Sequence, residues 1–264
     1  MKSALAEWLS GRAISIGRSV IPDADHSRCE RFDWLGVRDD ASLRSLHAAG
    51  LNHAFYFPDL SFLAPPIVEP GVARTAVGMS FRRSIPELQF SNNYEALLRS
   101  HLARYLGSGC ARLPHIYAFH QVDEDAELAD ALGAKYGLAR CVQRLTLATY
   151  ESFYKTCSIV VSNRLHCLLL GAYCGAIPIA MTTSTHTKLA SLFETVGWRS
   201  LLVCMDREER LAEAIARIQD NPSQYRIIVS STFEQQRSLG TSILNQRLSG
   251  ATPNVITPTS WCAE

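Results

Sequence analysis

Lysine is scarce in this chain: only Lys2, Lys135, Lys155 and Lys188 contribute to its 26 basic residues. A lysine at a motif position is therefore less a matter of chance. A surplus of either charge is also lacking, since 26 basic against 25 acidic side chains leave +1. That balance gives no surplus of cations, on which affinity for a phosphate backbone rests, so no nucleic-acid partner is expected. Cys-x-x-Cys spacing is absent as well. The eight cysteines fall at positions 29, 110, 141, 157, 167, 174, 204 and 262. Cys157, Cys167 and Cys174 sit inside apolar runs, where cysteine behaves as a small hydrophobe. A zinc site or disulfide framework is not expected, and His115, His120 and His186 lack ligand-type spacing. Neither metal nor cofactor is expected. With no charged-then-apolar leader, the expected compartment is the reducing cytoplasm. Long hydrophobic runs are missing too. The most apolar stretch, 159–181, is broken by Asn163, Arg164 and His166, and central charges are costly in lipid. No membrane-spanning segment is expected, and peripheral membrane contact stays open.

What remains is a chain of 264 residues, 47% hydrophobic and 19% charged, the balance of a globular protein. Short apolar runs alternate with amphipathic stretches. Strands are expected at 13–17, 34–38 and 54–57, with a helix at 41–49 stopped by Gly50. The segment from Ala64 to Gly71 carries three prolines in eight residues and reads as a linker. Beyond it the alternation restarts. Strands are expected at 76–80, 115–119, 158–162, 177–180 and 201–204. Helices are expected at 93–105, 124–136, 146–157, 164–174, 188–196 and 208–219, with a mostly polar one at 221–248. Such alternation predicts an α/β fold with parallel sheets covered on both faces. The expected division is a partial Rossmann-like domain over 1–63, the linker 64–71, a complete Rossmann-like domain over 72–220, the helical segment 221–248 and a disordered tail 249–264. Three strands and one good helix are few for an independent doubly wound domain, so the N-terminal one reads as truncated.

Chemistry concentrates where Ser162, Asn163, Arg164, Leu165 and His166 leave the most apolar strand. In open parallel sheets that edge is where ligands bind. Asn163 is expected to cap the following helix and leave its first N–H groups facing the crevice. Arg164 offers a rigid fork for phosphate or carboxylate, and His166 offers an imidazole, the side chain most used for proton transfer. An arginine paired to a surface carboxylate and a satisfied helix histidine would account for the same residues.

The run from Ser158 to Ala180, an apolar strand entering an Arg-Leu-His helix and then a Gly-x-x-Pro turn, resembles the signature of the polysaccharide pyruvyl transferase family. Lys188 follows where that family has a lysine. Gly17, Ser19 and Pro22 match its Gly-x-Ser-x-x-Pro turn. Val37, Arg38, Asp39 and Ser42 match Val-Arg-Asp-x-x-Ser, and Pro58, Asp59 and Phe62 match Pro-Asp-x-x-Phe. Val77 to Arg82 is similar to the strand opening the family's second domain. His120 with Asp123 or Asp125 is a weaker match. The resemblance covers about residues 10 to 220, and family members usually carry about another hundred residues before the first of these turns.

The resemblance implies two Rossmann-like domains as in GT-B glycosyltransferases, with 72–220 binding the donor. It implies transfer of a pyruvyl group from phosphoenolpyruvate to two sugar hydroxyls of a bacterial exopolysaccharide or cell-surface glycan. The partners would be phosphoenolpyruvate and a glycan or lipid-linked oligosaccharide acceptor. Arg164 and His166 would be catalytic. Arg38, Arg82, Arg164, Ser162, Asn163 and Lys188 would bind phosphoenolpyruvate. Two other readings stand beside it: a GT-B nucleotide-sugar glycosyltransferase, and a truncated non-catalytic remnant that keeps anion binding.

Overall fold

Parallel strands joined by helices organise everything that the computed structural model describes, namely residues 13–20, 26–67, 73–82, 91–107, 115–140, 147–184, 187–207 and 210–249. These residues fall into two compact units. One comprises residues up to 65 with 191–197 and those from 232 onward; the other comprises 66–190 and 198–231.

In the first unit, β1 (Ile14–Arg18), β2 (Trp34–Val37) and β3 (Ala54–Tyr56) pair in parallel in the order β1-β2-β3. The β1–β2 register slips between Ser15 and Arg18. Gly17 lies in that slip with φ +69°, and a Cβ there would sit 3.3 Å from Leu60 Cγ. Only glycine takes that backbone without strain. Helix α1 (Asp40–Ala48) starts where the Asp39 carboxylate accepts from the Ser42 amide at 2.8 Å. Its Leu43 and Leu46 join Leu35, Val37, Tyr56 and Phe57 in one apolar cluster, which Leu239 and Ile243 complete.

The second unit holds a six-stranded parallel sheet in the order β6-β5-β4-β7-β8-β9. Its strands are β4 (Ala76–Ser80), β5 (His115–Ala118), β6 (Ala139–Arg140), β7 (Cys157–Ser162), β8 (Ile177–Thr182) and β9 (Leu202–Cys204). The connecting helices are α2 (Ser91–Gly107), α3 (Ala126–Tyr136), α4 (Leu147–Thr156), α5 (Leu165–Tyr173), α6 (Thr187–Thr195) and α7 (Leu211–Asp220). In chain order the sheet reads 3-2-1-4-5-6, the arrangement of dinucleotide-binding folds. Strands β4, β7 and β8 are buried at every residue, as continuous apolar runs covered on both faces should be. Helix α5 lies so close to β7 that a Cβ at Gly171 would sit 2.8 Å from Val160 Cγ2.

Each expected strand and helix is present within a few residues of its expected ends. The two-residue β6 carries no periodic signal and was not expected. The stretch around Asp123–Asp125 is a 3-10 turn ahead of α3 rather than its first turn. The polar stretch from 222 forms one helix, α8 (Pro222–Leu248). Residues up to 231 of α8 belong to the second unit and those from 232 to the first. Residues 68–71 of the linker and the tail from 250 lie outside the described residues. Among the described residues no helix is long and apolar enough to cross a membrane.

Candidate active site

The strand order of the larger sheet reverses between β4 and β7. Chains leaving two such strands diverge to opposite faces and open a crevice at the carboxyl edge. Ser80 and Ser162, the last residues of β4 and β7, lie in register. Beyond them the Asn163 side chain takes over the pairing: Oδ1 accepts from the Arg82 amide at 2.7 Å and Nδ2 donates to the Arg82 carbonyl at 2.8 Å. A carboxamide offers the same donor and acceptor as a peptide group. It therefore extends the sheet by one rung and pins Arg82 at the mouth of the crevice.

This corrects the expected role of Asn163 as helix cap. The cap position of α5 is Arg164, with φ −102° and ψ 117°, and no side chain caps it. The Arg164 amide donates instead to Ser162 Oγ at 2.9 Å, and that hydroxyl donates to the Ser80 carbonyl. Ser162 is fully buried and Asn163 is 5% exposed. Both shape the backbone of the crevice from beneath.

Arg164 keeps 21% of its side chain exposed, and its Nε pairs with the carboxylate of Asp125, which is 2% exposed. Asp125 closes the turn after β5, while Asp123 and Glu124 of the same turn are exposed. Of the acidic residues following His120, Asp125 is thus the one that meets the arginine. Fixing a guanidinium along its Nε edge leaves the terminal nitrogens as the gripping end of the fork. His166, the second residue of α5, is exposed.

Cys167 follows it but is fully buried, and its Sγ donates to Ser80 Oγ at 3.6 Å. Burial pushes its thiol up to about 11, so it is no thiolate nucleophile at neutral pH. Tyr94 on α2 is buried beside Asn163. Burial drives its phenol well above the ordinary range, with the Asn163 side chain opposing that rise. Lys188 is half-buried in the first turn of α6, which follows β8. His186 and Arg83 lie outside the described residues. Among the described residues no group of three or more His, Cys, Asp or Glu side chains could hold a metal ion.

Arg82, Ser162, Asn163, Arg164 and His166 therefore share the carboxyl edge of β4 and β7. Arg38 belongs to the other unit. Its Nε donates to Ser19 Oγ at 2.9 Å and its Nη1 to Asp59 Oδ2 at 2.6 Å. Asp59 also accepts from the Ser61 amide at 3.0 Å, and Asp39 holds both Ser42 and, at 3.1 Å, the hydroxyl of Ser191. Ser19, Arg38 and Asp59 thus tie together the ends of all three strands of the smaller sheet.

A sequence model of known polysaccharide pyruvyl transferases matches residues 23–184. This chain belongs to the polysaccharide pyruvyl transferase family. No curated protein sequence matches it. Among solved structures, Alr3699/HepE from Anabaena in complex with UDP superposes at TM-score 0.56 and 13% identity, covering 94% of this chain and 75% of that one. TarM superposes at TM-score 0.55 and 10% identity over 89% of this chain and 49% of its own. An alpha,alpha-trehalose-phosphate synthase (UDP-forming) from Burkholderia vietnamiensis gives TM-score 0.51 and 10% identity, over 84% and 62%. At such identities the likeness establishes the fold alone: a GT-B-type chain with Rossmann-like units. The chain spans three quarters of the first of these proteins and about half of the second.

Within this pyruvyl transferase family member, sequence spacing left one partner undecided and missed another. Asp125 stood level with Asp123 as an acid near His120, and only the fold turns one of them inward. Tyr94 gave no signal, because an aromatic on an amphipathic helix reads as core.

Proposed function

We propose that the chain transfers a pyruvyl group from phosphoenolpyruvate to two hydroxyls of a sugar on a bacterial glycan, closing a cyclic ketal. What supports this most is one juxtaposition: Arg164, held along its Nε edge by buried Asp125, with the exposed His166 two residues on, at the point where the sheet order reverses. The donor carries a phosphate and a carboxylate, which suit arginine forks better than lysine. Arg164 and Arg82 grip those groups, with Lys188 as a further cation. Asn163 and Ser162 hold the backbone that presents them. Arg38, expected to bind the same donor, has its guanidinium committed to Ser19 and Asp59, and we read it as a tie between strands.

His166 delivers a proton to the methylene carbon of the enol, which becomes the methyl group. The adjoining carbon, now electron-poor, takes a sugar hydroxyl. Its bond to the phosphate oxygen breaks, a second hydroxyl closes the ring, and two new C–O bonds replace that ester bond and the double bond. One hydroxyl proton replaces the one given by His166, and the other leaves with phosphate. Arg164 stabilises the charge that collects on the departing phosphate. The acceptor is a glycan or lipid-linked oligosaccharide handled in the cytoplasm.

A nucleotide-sugar glycosyltransferase is the second reading, favoured by a fold shared with HepE, which was solved with UDP. Thermal-shift titration of wild type and Arg164→Ala with phosphoenolpyruvate, UDP and GDP separates the two. A ligand at 100 times its dissociation constant adds roughly 2.7 kcal/mol to the native state. Stabilisation by phosphoenolpyruvate, lost in the variant, is the expected result. Stabilisation by a nucleotide alone turns the assignment to glycosyl transfer, and no shift with any ligand turns it to a non-catalytic remnant.

A further inference from the structure

Asp125 stands at the cap position of α3, where an aspartate ordinarily accepts a bond from the first amides of its own helix. Asp39 does so at the start of α1, holding the Ser42 amide at 2.8 Å. Asp125 makes no such bond. Its carboxylate is 2% exposed and pairs instead with Arg164 Nε, 39 positions further on. Since β4 lies between β5 and β7, the pair reaches over the end of β4, where the crevice opens. The side chain thus forgoes a local stabilising contact for one at the ligand-binding edge of the sheet.

The turn that carries Asp125 is itself anchored from beneath. The Phe119 amide donates to the Met79 carbonyl at 3.0 Å, which extends the β4–β5 pairing past Ala118. Gln121 Nε2 then donates to the Tyr154 hydroxyl of α4 at 3.0 Å. Tyr154 is fully buried, and its ring meets that of Phe119 edge-on, with centroids 5.7 Å apart. The Asp125 amide donates to the Val122 carbonyl at 3.1 Å and closes the turn. Direct contacts therefore run from Tyr154 through Gln121 and the turn to Asp125 and Arg164.

We propose that Asp125 is a positioning residue for Arg164, and that Gln121 and Tyr154 hold its turn in the place this requires. The assignment rests on the reading of Arg164 as a donor-binding residue. Asp125 sets a direction and supplies no chemistry: with Nε held, the terminal nitrogens of the planar fork face the donor. Asp125→Asn keeps an oxygen that accepts from Nε, whereas Asp125→Ala keeps none.

Isothermal titration of the full chain with phosphoenolpyruvate, and separately with UDP, tests it. Arg164→Ala should weaken phosphoenolpyruvate binding at least ~10-fold, the loss of charge-assisted bonds. Asp125→Ala should weaken it about as much, and Asp125→Asn should bind within ~3-fold of wild type. Tyr154→Phe, which removes one hydroxyl, should cost about 3-fold. Neither Asp125→Ala nor Tyr154→Phe should weaken binding further in the Arg164→Ala background, whereas general damage to the fold would add to it. If UDP binds through Arg164 and phosphoenolpyruvate does not, the pyruvyl-transfer reading fails, and the same variants judge Asp125 with UDP. Asp125→Ala binding like wild type, Asp125→Asn as weak as Asp125→Ala, additive losses, or no ligand that depends on Arg164 would each overturn the proposal. Wild-type affinity in Tyr154→Phe would strike Gln121 and Tyr154 from it.

Discussion

At the carboxyl edge of the three-stranded sheet, Arg38 follows β2 and donates to Asp59, which follows β3. At the carboxyl edge of the six-stranded sheet, Arg164 follows β7 and meets Asp125, which follows β5. The same two side-chain types meet at both edges, across neighbouring strands in the smaller sheet and across the intervening β4 in the larger one. In the first pair Nε and Nη1 are both committed, to Ser19 and Asp59, and Asp59 also holds the residues that follow it. In the second the carboxylate is deep and the arginine stands above it, with an exposed histidine two residues away. An arginine bonded on two sides is a tie between strands. One paired on a single edge beside an exposed histidine is the one we propose as a tool.

The largest test of that contrast is kinetic. His166→Ala should lower pyruvyl transfer at least ~100-fold while leaving the melting temperature unchanged, because the side chain is exposed. Near-normal turnover would remove His166 from the chemistry and reduce both edges to structural ties. Arg38→Ala should show the opposite profile. It strands Asp59, whose side chain is 6% exposed, and should cost about 2 kcal/mol in urea unfolding, between the surface and buried limits for ion pairs. A variant as stable as wild type but inactive would make Arg38 a tool after all.

A smaller effect belongs to the packing beneath the site. Gly171→Ala places a methyl against Val160 and should cost about 1 kcal/mol net, overpacking outweighing the gain in helix propensity. A stabilised variant would mean that α5 can lift off β7.

The smallest effect is a pH dependence at the end of β9. Partial burial pushes the Asp206 carboxyl up, but bonds from the Ser184 hydroxyl, the Cys204 thiol and the Ser184 amide outweigh it and hold the group below its ordinary value. Its folded-state affinity for protons is lowered. The stability it adds is therefore present above the ordinary aspartate value of about 3.9 and is lost as pH falls through the lower folded one. Wild type should exceed Asp206→Asn in stability at pH 7, and the gap should close in acid. A gap independent of pH would assign the difference to the shape of the turn.

The parts of this molecule written in local pattern were legible beforehand. Strand β7 and helix α5 could be read because an unbroken apolar run meets a polar junction, and the run alone requires a buried strand. The two residues of β6 have no period to read. Asn163 misled because a local rule favours asparagine as a cap, whereas its actual partner is the Arg82 peptide group 81 residues earlier. Asp125 and Arg164 lie 39 positions apart, and only the order of β5, β4 and β7 brings them together. The smaller core was half legible: its strands and α1 announce themselves, but Leu239 and Ile243 look like the inner face of an ordinary polar helix.

That last feature sets an order of events on the ribosome. Leu35, Val37 and Tyr56 are synthesised before any strand of the larger sheet, yet the side chains that cover them, Leu239 and Ile243, emerge after all of those strands. At ~5–20 residues per second the nascent sheet waits roughly ten seconds or longer for its cover. The larger sheet, synthesised later, has all its strands by Cys204. The smaller sheet is thus begun before the larger one and finished after it, and in that interval it is a segment a chaperone would find.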